Sequence, residues 1–253
     1  MLVELAVVGV KLAFVLAVML TTVPIMVWVE RRGSALIQDR LGPNRVGPYG
    51  LLQPVIDVVK LLTKENLRPK GVQTLLYLLA PVIAIAVSLS TFIAVPFGQD
   101  SGLEMFGQPV DGFIVAPDLN IGVLYVFAIA SLAVYSIVLA GWSSNNKFAL
   151  YGGIRASAQA ISYELAMTVA VVGVLMSAGS LNLQHIVDAQ AGTWLGLLPR
   201  WNFFPQILGA VIFIVAVFAE TNRLPFDLPE AEAELVAGYH TEYSSMGFAA
   251  FYM

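Results

Sequence analysis

LVELAVVGVKLAFVLAVMLTTVPIMVWV, Leu2 to Val29, is apolar throughout except for Glu4, Lys11 and a few small polar residues. It exceeds the roughly 20 residues that a helix needs to cross a bilayer's hydrocarbon layer. A cleavable signal peptide would be shorter and would end in small residues, whereas this run ends in Glu30, Arg31 and Arg32. Trp28 stands where an indole anchors at the membrane interface. Further apolar runs follow at Leu75 to Val95, Asn120 to Trp142, about Ala158 to Ala178, and Phe203 to Ala219, the last near the lower limit for crossing.

With 58% hydrophobic residues, 12% charged ones and a mean hydropathy of +0.79, the chain is too apolar for one soluble core. The runs are solidly apolar where the strands of a membrane barrel would alternate. The expected fold is therefore all-α: a polytopic transmembrane helical bundle of at least five spans, forming one membrane domain over residues 1–253. MGFAAFYM, from Met246, reads as the opening of a sixth span and is too short to cross. The sequence is therefore expected to be the front part of a longer protein.

The first connection, Glu30 to Thr74, is broken by GPNRVGPYG at Gly42 to Gly50, which demands turns. Pro54 then opens a short helix to about Lys64. Val55, Val58, Val59 and Leu62 share one face and Asp57, Lys60 and Lys64 another, the pattern of an amphipathic helix lying in the interface plane. Basic residues set the orientation. Arg31, Arg32, Arg40, Arg45, Lys60, Lys64, Arg68 and Lys70 lie in the first connection, Lys147 and Arg155 in the third and Arg223 in the fifth. The second connection has Asp100, Glu104, Asp111 and Asp118 and no cation, and the fourth only Arg200. The odd connections therefore face the cytoplasm and the amino terminus lies outside.

The chain has no cysteine, which excludes disulfides and thiolate-held zinc or iron-sulfur clusters; any redox centre is a diffusible molecule or sits on a partner. Phosphate-binding and dinucleotide motifs and HExxH are absent, and no metal site is expected. The carboxylates carry the remaining signal. Glu164, in SYELAM, enters the fourth span, where a charge costs about 2.5–3.5 kcal/mol on insertion scales. Such a group faces a protein interior or wet cavity, or lies shallow and snorkels to the headgroups. AETNRLPFDLPEAEAELVAGYHTEYS, Ala219 to Ser244, crowds Glu220, Asp227, Glu230, Glu232, Glu234 and Glu242 into a long acidic cytoplasmic loop between apolar segments. A solvated face is the usual fate of such a run. Partial burial would instead raise proton affinity and couple the titrations.

Glu30, Arg31 and Arg32 read from composition as a membrane stop signal, with a buried Glu30–Arg31 pair as the alternative. His185 carries no assigned role. His240, beside Tyr239, Glu242 and Tyr243, fits a hydrogen-bonded relay or a structural partnership. Trp142 and Trp194 read as interfacial anchors.

ERRGSALIQDRLGPNRVGPYGLLQPVIDVVKLLTKE at Glu30 to Glu65, AGWSSNNKFALYGGIRASAQAISYE at Ala140 to Glu164, the acidic stretch, and GYHTEYSSM at Gly238 to Met246 together resemble one family over nearly the whole chain. It is the quinone-chamber membrane subunit of proton-pumping NADH:quinone oxidoreductase, respiratory complex I, in bacteria and mitochondria. Its members have eight spans.

The resemblance implies a translocase subunit that is not catalytic alone. Its substrate is a quinone (ubiquinone or menaquinone), it binds no cofactor covalently, and FMN and iron-sulfur clusters belong to peripheral-arm partners. Its partners are the other membrane-arm and peripheral-arm subunits, and its place is the cell inner membrane. By matching positions, Glu30, Arg31, Asp57 and Asp227 fall to quinone binding. Glu164, Glu220, Glu230, Glu232, Glu234 and Glu242 fall to proton coupling. The equivalent subunit of a membrane-bound hydrogenase or formate hydrogenlyase complex is the alternative. A secondary transporter or a plain membrane anchor would be readings of a different class.

Overall fold

The computed structural model describes residues 2–97, 104–105, 107–109, 114–116, 119–194, 196, 198–222, 225–227 and 236–252. Helix α1 (Leu2–Ile37) is followed by α2 (Gln53–Thr63), α3 (Thr74–Thr91), α4 (Gly122–Ser131), α5 (Ala133–Ser143) and α6 (Lys147–Ala178). After these come α7 (Leu183–Ala189), α8 (Ile207–Glu220) and α9 (Ser245–Ala249). Two small antiparallel hairpins, Glu104–Met105 with Gln108–Pro109 and Thr193–Trp194 with Leu198–Pro199, lie in the second and fourth connections.

Among the described residues, four helical stretches are long and apolar enough to cross a membrane: Val3–Ile37, Thr74–Ala94, Gly122–Ser143 and Lys147–Ala178. Their outward faces carry Leu20, Met26, Val82, Val169 and other exposed apolar side chains. Hydrocarbon accepts such a surface, since the helical backbone satisfies its own hydrogen bonds.

Several boundaries differ from those expected. α1 does not stop at Val29 but carries Glu30, Arg31 and Arg32 on to Ile37, because nothing in ERRGSALI breaks a helix. It ends where Asp39 turns left-handed (φ 50°), before Gly42 and Pro43. α6 begins at Lys147, eleven residues before the expected Ala158. Asn146 caps it by accepting from the Phe148 amide at 2.9 Å, and Gly179 closes it in the left-handed conformation. The expected fifth span is shorter than its apolar run. Pro205 keeps α8 from starting before Ile207, and its 14 residues rise only roughly 21 Å. The third span is split at Leu132, whose N–H bonds back three residues to Ile129.

α6 is the centre of the bundle, packed between α5 and α8, with α3 on the far side of α5. α1 leaves most of its surface uncovered and meets α2 near its C-terminal end. The chain from Gly238 onward folds back into the end of the bundle where α3 and α6 begin. There Tyr239 and Tyr243 are buried with Tyr77, Ala80, Ala140 and Ala156. Small residues permit this approach: a Cβ on Gly152 would lie 2.6 Å from the Gly238 Cα.

Candidate functional site

Because α1 continues past Val29, Arg31 reaches α2. Its Nη1 donates to Asp57 Oδ2 at 2.5 Å, and Gln53 Nε2 donates to Asp57 Oδ1 at 3.0 Å. Burial opposes the Asp57 charge, but the hydrogen bonds from Arg31 and Gln53, with the nearby Lys60 charge, outweigh it and hold the carboxyl below its usual range. The next residue, Arg32, lies between the Trp28 and Tyr49 rings, 5.7 and 5.5 Å from their centroids. Trp28 Nε1 and Arg32 Nη1 both donate to the Tyr49 carbonyl. That carbonyl is presented by a turn with Tyr49 at φ 54° and Gly50 at φ 75°, where a Cβ on Gly50 would lie 2.2 Å from the Pro43 oxygen. Beside this clamp is a cleft of about 390 Å³ lined by Glu30, Arg31, Ser34, Arg40, Leu41 and Pro43, among others.

A second polar cluster lies where α6 crosses the end of α8. Gln159 Nε2 faces the carbonyls of Ala219 (3.0 Å) and Phe226 (2.8 Å) and Asn222 Oδ1 (3.1 Å). One turn along, the Tyr163 ring meets Phe226 edge-on at 5.3 Å. Glu164 follows on α6 and Glu220 closes α8, on the two helices that the Gln159–Ala219 contact joins. Among the described residues, none donates a hydrogen bond to the buried Glu220 Oε2.

The third cluster is the inner knot. Asn146 Nδ2 donates to Glu242 Oε1 at 2.6 Å and the Tyr77 hydroxyl to the Glu242 carbonyl at 2.8 Å. The Tyr243 hydroxyl donates to the Tyr77 carbonyl at 3.0 Å, and the two rings stack at 4.2 Å. Burial pushes the Tyr243 phenol up to about 12. His240, 4% exposed, packs edge-on against Tyr239 and Phe248, and burial lowers its pKa to about 4. Among the described residues, no group of His, Asp and Glu is arranged to hold a metal ion.

The sequence model described as NADH dehydrogenase matches residues 10–253. The chain belongs to that NADH dehydrogenase family. Within it, the chain is 52% identical to the H 1 subunit of NADH-quinone oxidoreductase from Solibacter usitatus, over 96% of this chain and 60% of that protein. It is 51% identical to NADH-quinone oxidoreductase subunit 8 of Rhodothermus marinus, over 93% of this chain and 64% of that one. It is 46% identical to the NADH-quinone oxidoreductase H subunit of Bdellovibrio bacteriovorus, over 99% and 69% respectively. The chain thus spans about three fifths of the length of the Solibacter relative.

In this NADH dehydrogenase-family chain, the fold brings Glu30, Arg31 and Asp57 to one place, Glu164 and Glu220 to a second, and Glu242 to a third. Asp227 follows Phe226 beside the second cluster, half-buried. Glu230, Glu232 and Glu234 lie outside the described residues. Sequence reasoning passes over Gln53, Gln159 and Asn146. A signal is present for Gln159, a polar side chain within an apolar span and one helical turn before Tyr163.

Proposed function

We propose that this chain is part of the membrane subunit of an NADH:quinone oxidoreductase that forms the inner part of a quinone tunnel and couples quinone reduction to proton translocation. The observation that carries the reading is the Arg31–Asp57 bridge between α1 and α2, set beside the cleft that contains Glu30. A quinone needs an apolar slot for its tail and a few fixed polar groups for its head. The exposed apolar faces of α1 and α2 supply the first, and Arg31, held by Asp57 and Gln53, with Glu30 supplies the second. Asp227 completes the quinone set.

In this reading electrons arrive from FMN and iron-sulfur clusters on peripheral-arm partners, which suits a chain without cysteine. Quinone reduction alters the charge felt by Glu230, Glu232 and Glu234. Glu220, Glu164 and Glu242 then pass protons or electrostatic strain to the other membrane-arm subunits. α2 lies in the interface plane, α8 belongs to a fifth span, further spans complete an eight-span subunit, and the amino terminus faces the outer side of the cell inner membrane. The names of the relatives favour quinone reduction over hydrogen evolution in a hydrogenase-like complex.

The test is photo-crosslinking of an azido-quinone to the assembled complex, with mapping of the labelled peptides. Label in peptides containing Glu30–Arg31 and Asp57 is expected. Label confined to other subunits, with unchanged quinone reduction in Asp57→Asn and Glu164→Gln complexes, would overturn the assignment.

A further inference from the structure

Gln159 presents one amide nitrogen to three oxygens, at 2.8, 3.0 and 3.1 Å. Two of them are backbone carbonyls, which only accept, so the nitrogen must be the atom facing them. A primary amide has two hydrogens, and three acceptors therefore compete for two protons. The acceptors belong to three consecutive pieces of chain. Ala219 is in the last turn of α8, Asn222 sits in the turn beyond it with a left-handed φ of 50°, and Phe226 stands immediately before Asp227. A small displacement of Asn222 or Phe226 changes which two bonds are made, without uncovering the amide.

We propose that Gln159 is a positioning residue for proton coupling: an amide latch that holds Asn222 and Phe226 against α6 in one of three hydrogen-bond pairings, and so sets the distance between Glu220 and Glu164. The proposal rests on the coupling role given above. Its geometric basis is that the latch and the two acids share the same two helices. Tyr163, packed on Phe226, precedes Glu164, and Ala219, bonded to Gln159, precedes Glu220. Among the described residues, the charged groups on the two helices and just beyond them are Lys147, Arg155 and Glu164 on α6, Glu220 on α8, and Asp227.

The test uses the assembled complex with Gln159→Met, which keeps length and removes both protons, Gln159→Glu, and Asn222→Gly, which removes one acceptor and tolerates the left-handed turn. Amide hydrogen exchange is read on peptides spanning Asn222 and Phe226, together with protons moved per electron during quinone reduction. Gln159→Met is expected to speed exchange there at least tenfold, with α3 and α5 unchanged, and to lower the proton ratio. Gln159→Glu should match it at pH 8, where the carboxylate only accepts, and return toward wild type as pH is lowered through about 4.3, where the protonated acid regains one donor. Asn222→Gly leaves two protons for two carbonyls, and exchange at Phe226 should slow.

Wild-type exchange in Gln159→Met, a pH-independent Gln159→Glu, or faster exchange in Asn222→Gly would each overturn the latch. If the wild-type complex moved no protons on reducing quinone, the coupling reading would fall, and the exchange data would still decide whether the latch exists.

Discussion

Arg31 and Asp57 lie on different helices, and each is only partly covered, with side chains 47% and 30% exposed. An ion pair this open contributes about 0.2–1 kcal/mol to stability, so its value lies in aiming the guanidinium. Asp57→Asn should leave assembly intact and raise the quinone KM about tenfold, a loss of roughly 1.4 kcal/mol, in steady-state assays. The sign with pH follows from the lowered carboxyl. The bridge is complete above the ordinary Asp value of 3.8 and is lost as pH falls through the lower folded one. His240 acts in a neighbouring window. Buried neutral with a pKa near 4 against 6.5 when free, it adds stability that is complete above pH 6.5 and is lost as pH falls to 4. The full effect is on the order of 3 kcal/mol. His240→Phe should flatten the decline of melting temperature between pH 6.5 and 4, measured in detergent.

The pairing of Arg31 is not legible in the sequence, because adjacency suggests Glu30 and only the continuation of α1 brings Asp57 within reach. Glu164 stands out in the sequence as a costly charge in a span, whereas the signal of Gln159, an uncharged polar group on the same helix, is weaker.

At the level of elements, the length of the apolar runs fixes the existence of the long helices, and the ends depend on features that composition hides. α6 starts early because Ala149, Gly152, Gly153 and Ala156 let it press on α5 and on the Gly238 turn. α8 starts late because of one proline. Gly152→Ala should place a methyl against the Gly238 backbone and cost about 1–3 kcal/mol by overpacking, read as a lower melting temperature. Tyr77→Phe removes one hydrogen bond to the Glu242 carbonyl while keeping the stack on Tyr243, and should cost only about 1 kcal/mol. If the two substitutions proved equally mild, the tight seating of the inner knot would be wrong.

For the whole molecule, the charge asymmetry between connections predicts sidedness, and within residues 1–253 no native cysteine competes for the label. A single cysteine at Gln38 should react with a membrane-impermeant maleimide in inside-out vesicles alone, and one at Gly107 in right-side-out vesicles alone. The reverse labelling would invert the topology. Membrane class is readable from hydropathy because lipid is a permissive solvent for apolar surface. How the inner ends knot together is not, because Tyr77, Tyr243 and Glu242 meet across long stretches of chain.

α6 has one more consequence. Its 32 residues rise roughly 48 Å, against about 30 Å of hydrocarbon, and its surplus turns are wedged into the inner knot. Only its apolar stretch from about Ala158 onward need lie in hydrocarbon, and those 21 residues rise roughly 31 Å. Acyl chains of ordinary length therefore match this rod, and a thinner membrane would load it first at the level of Glu164.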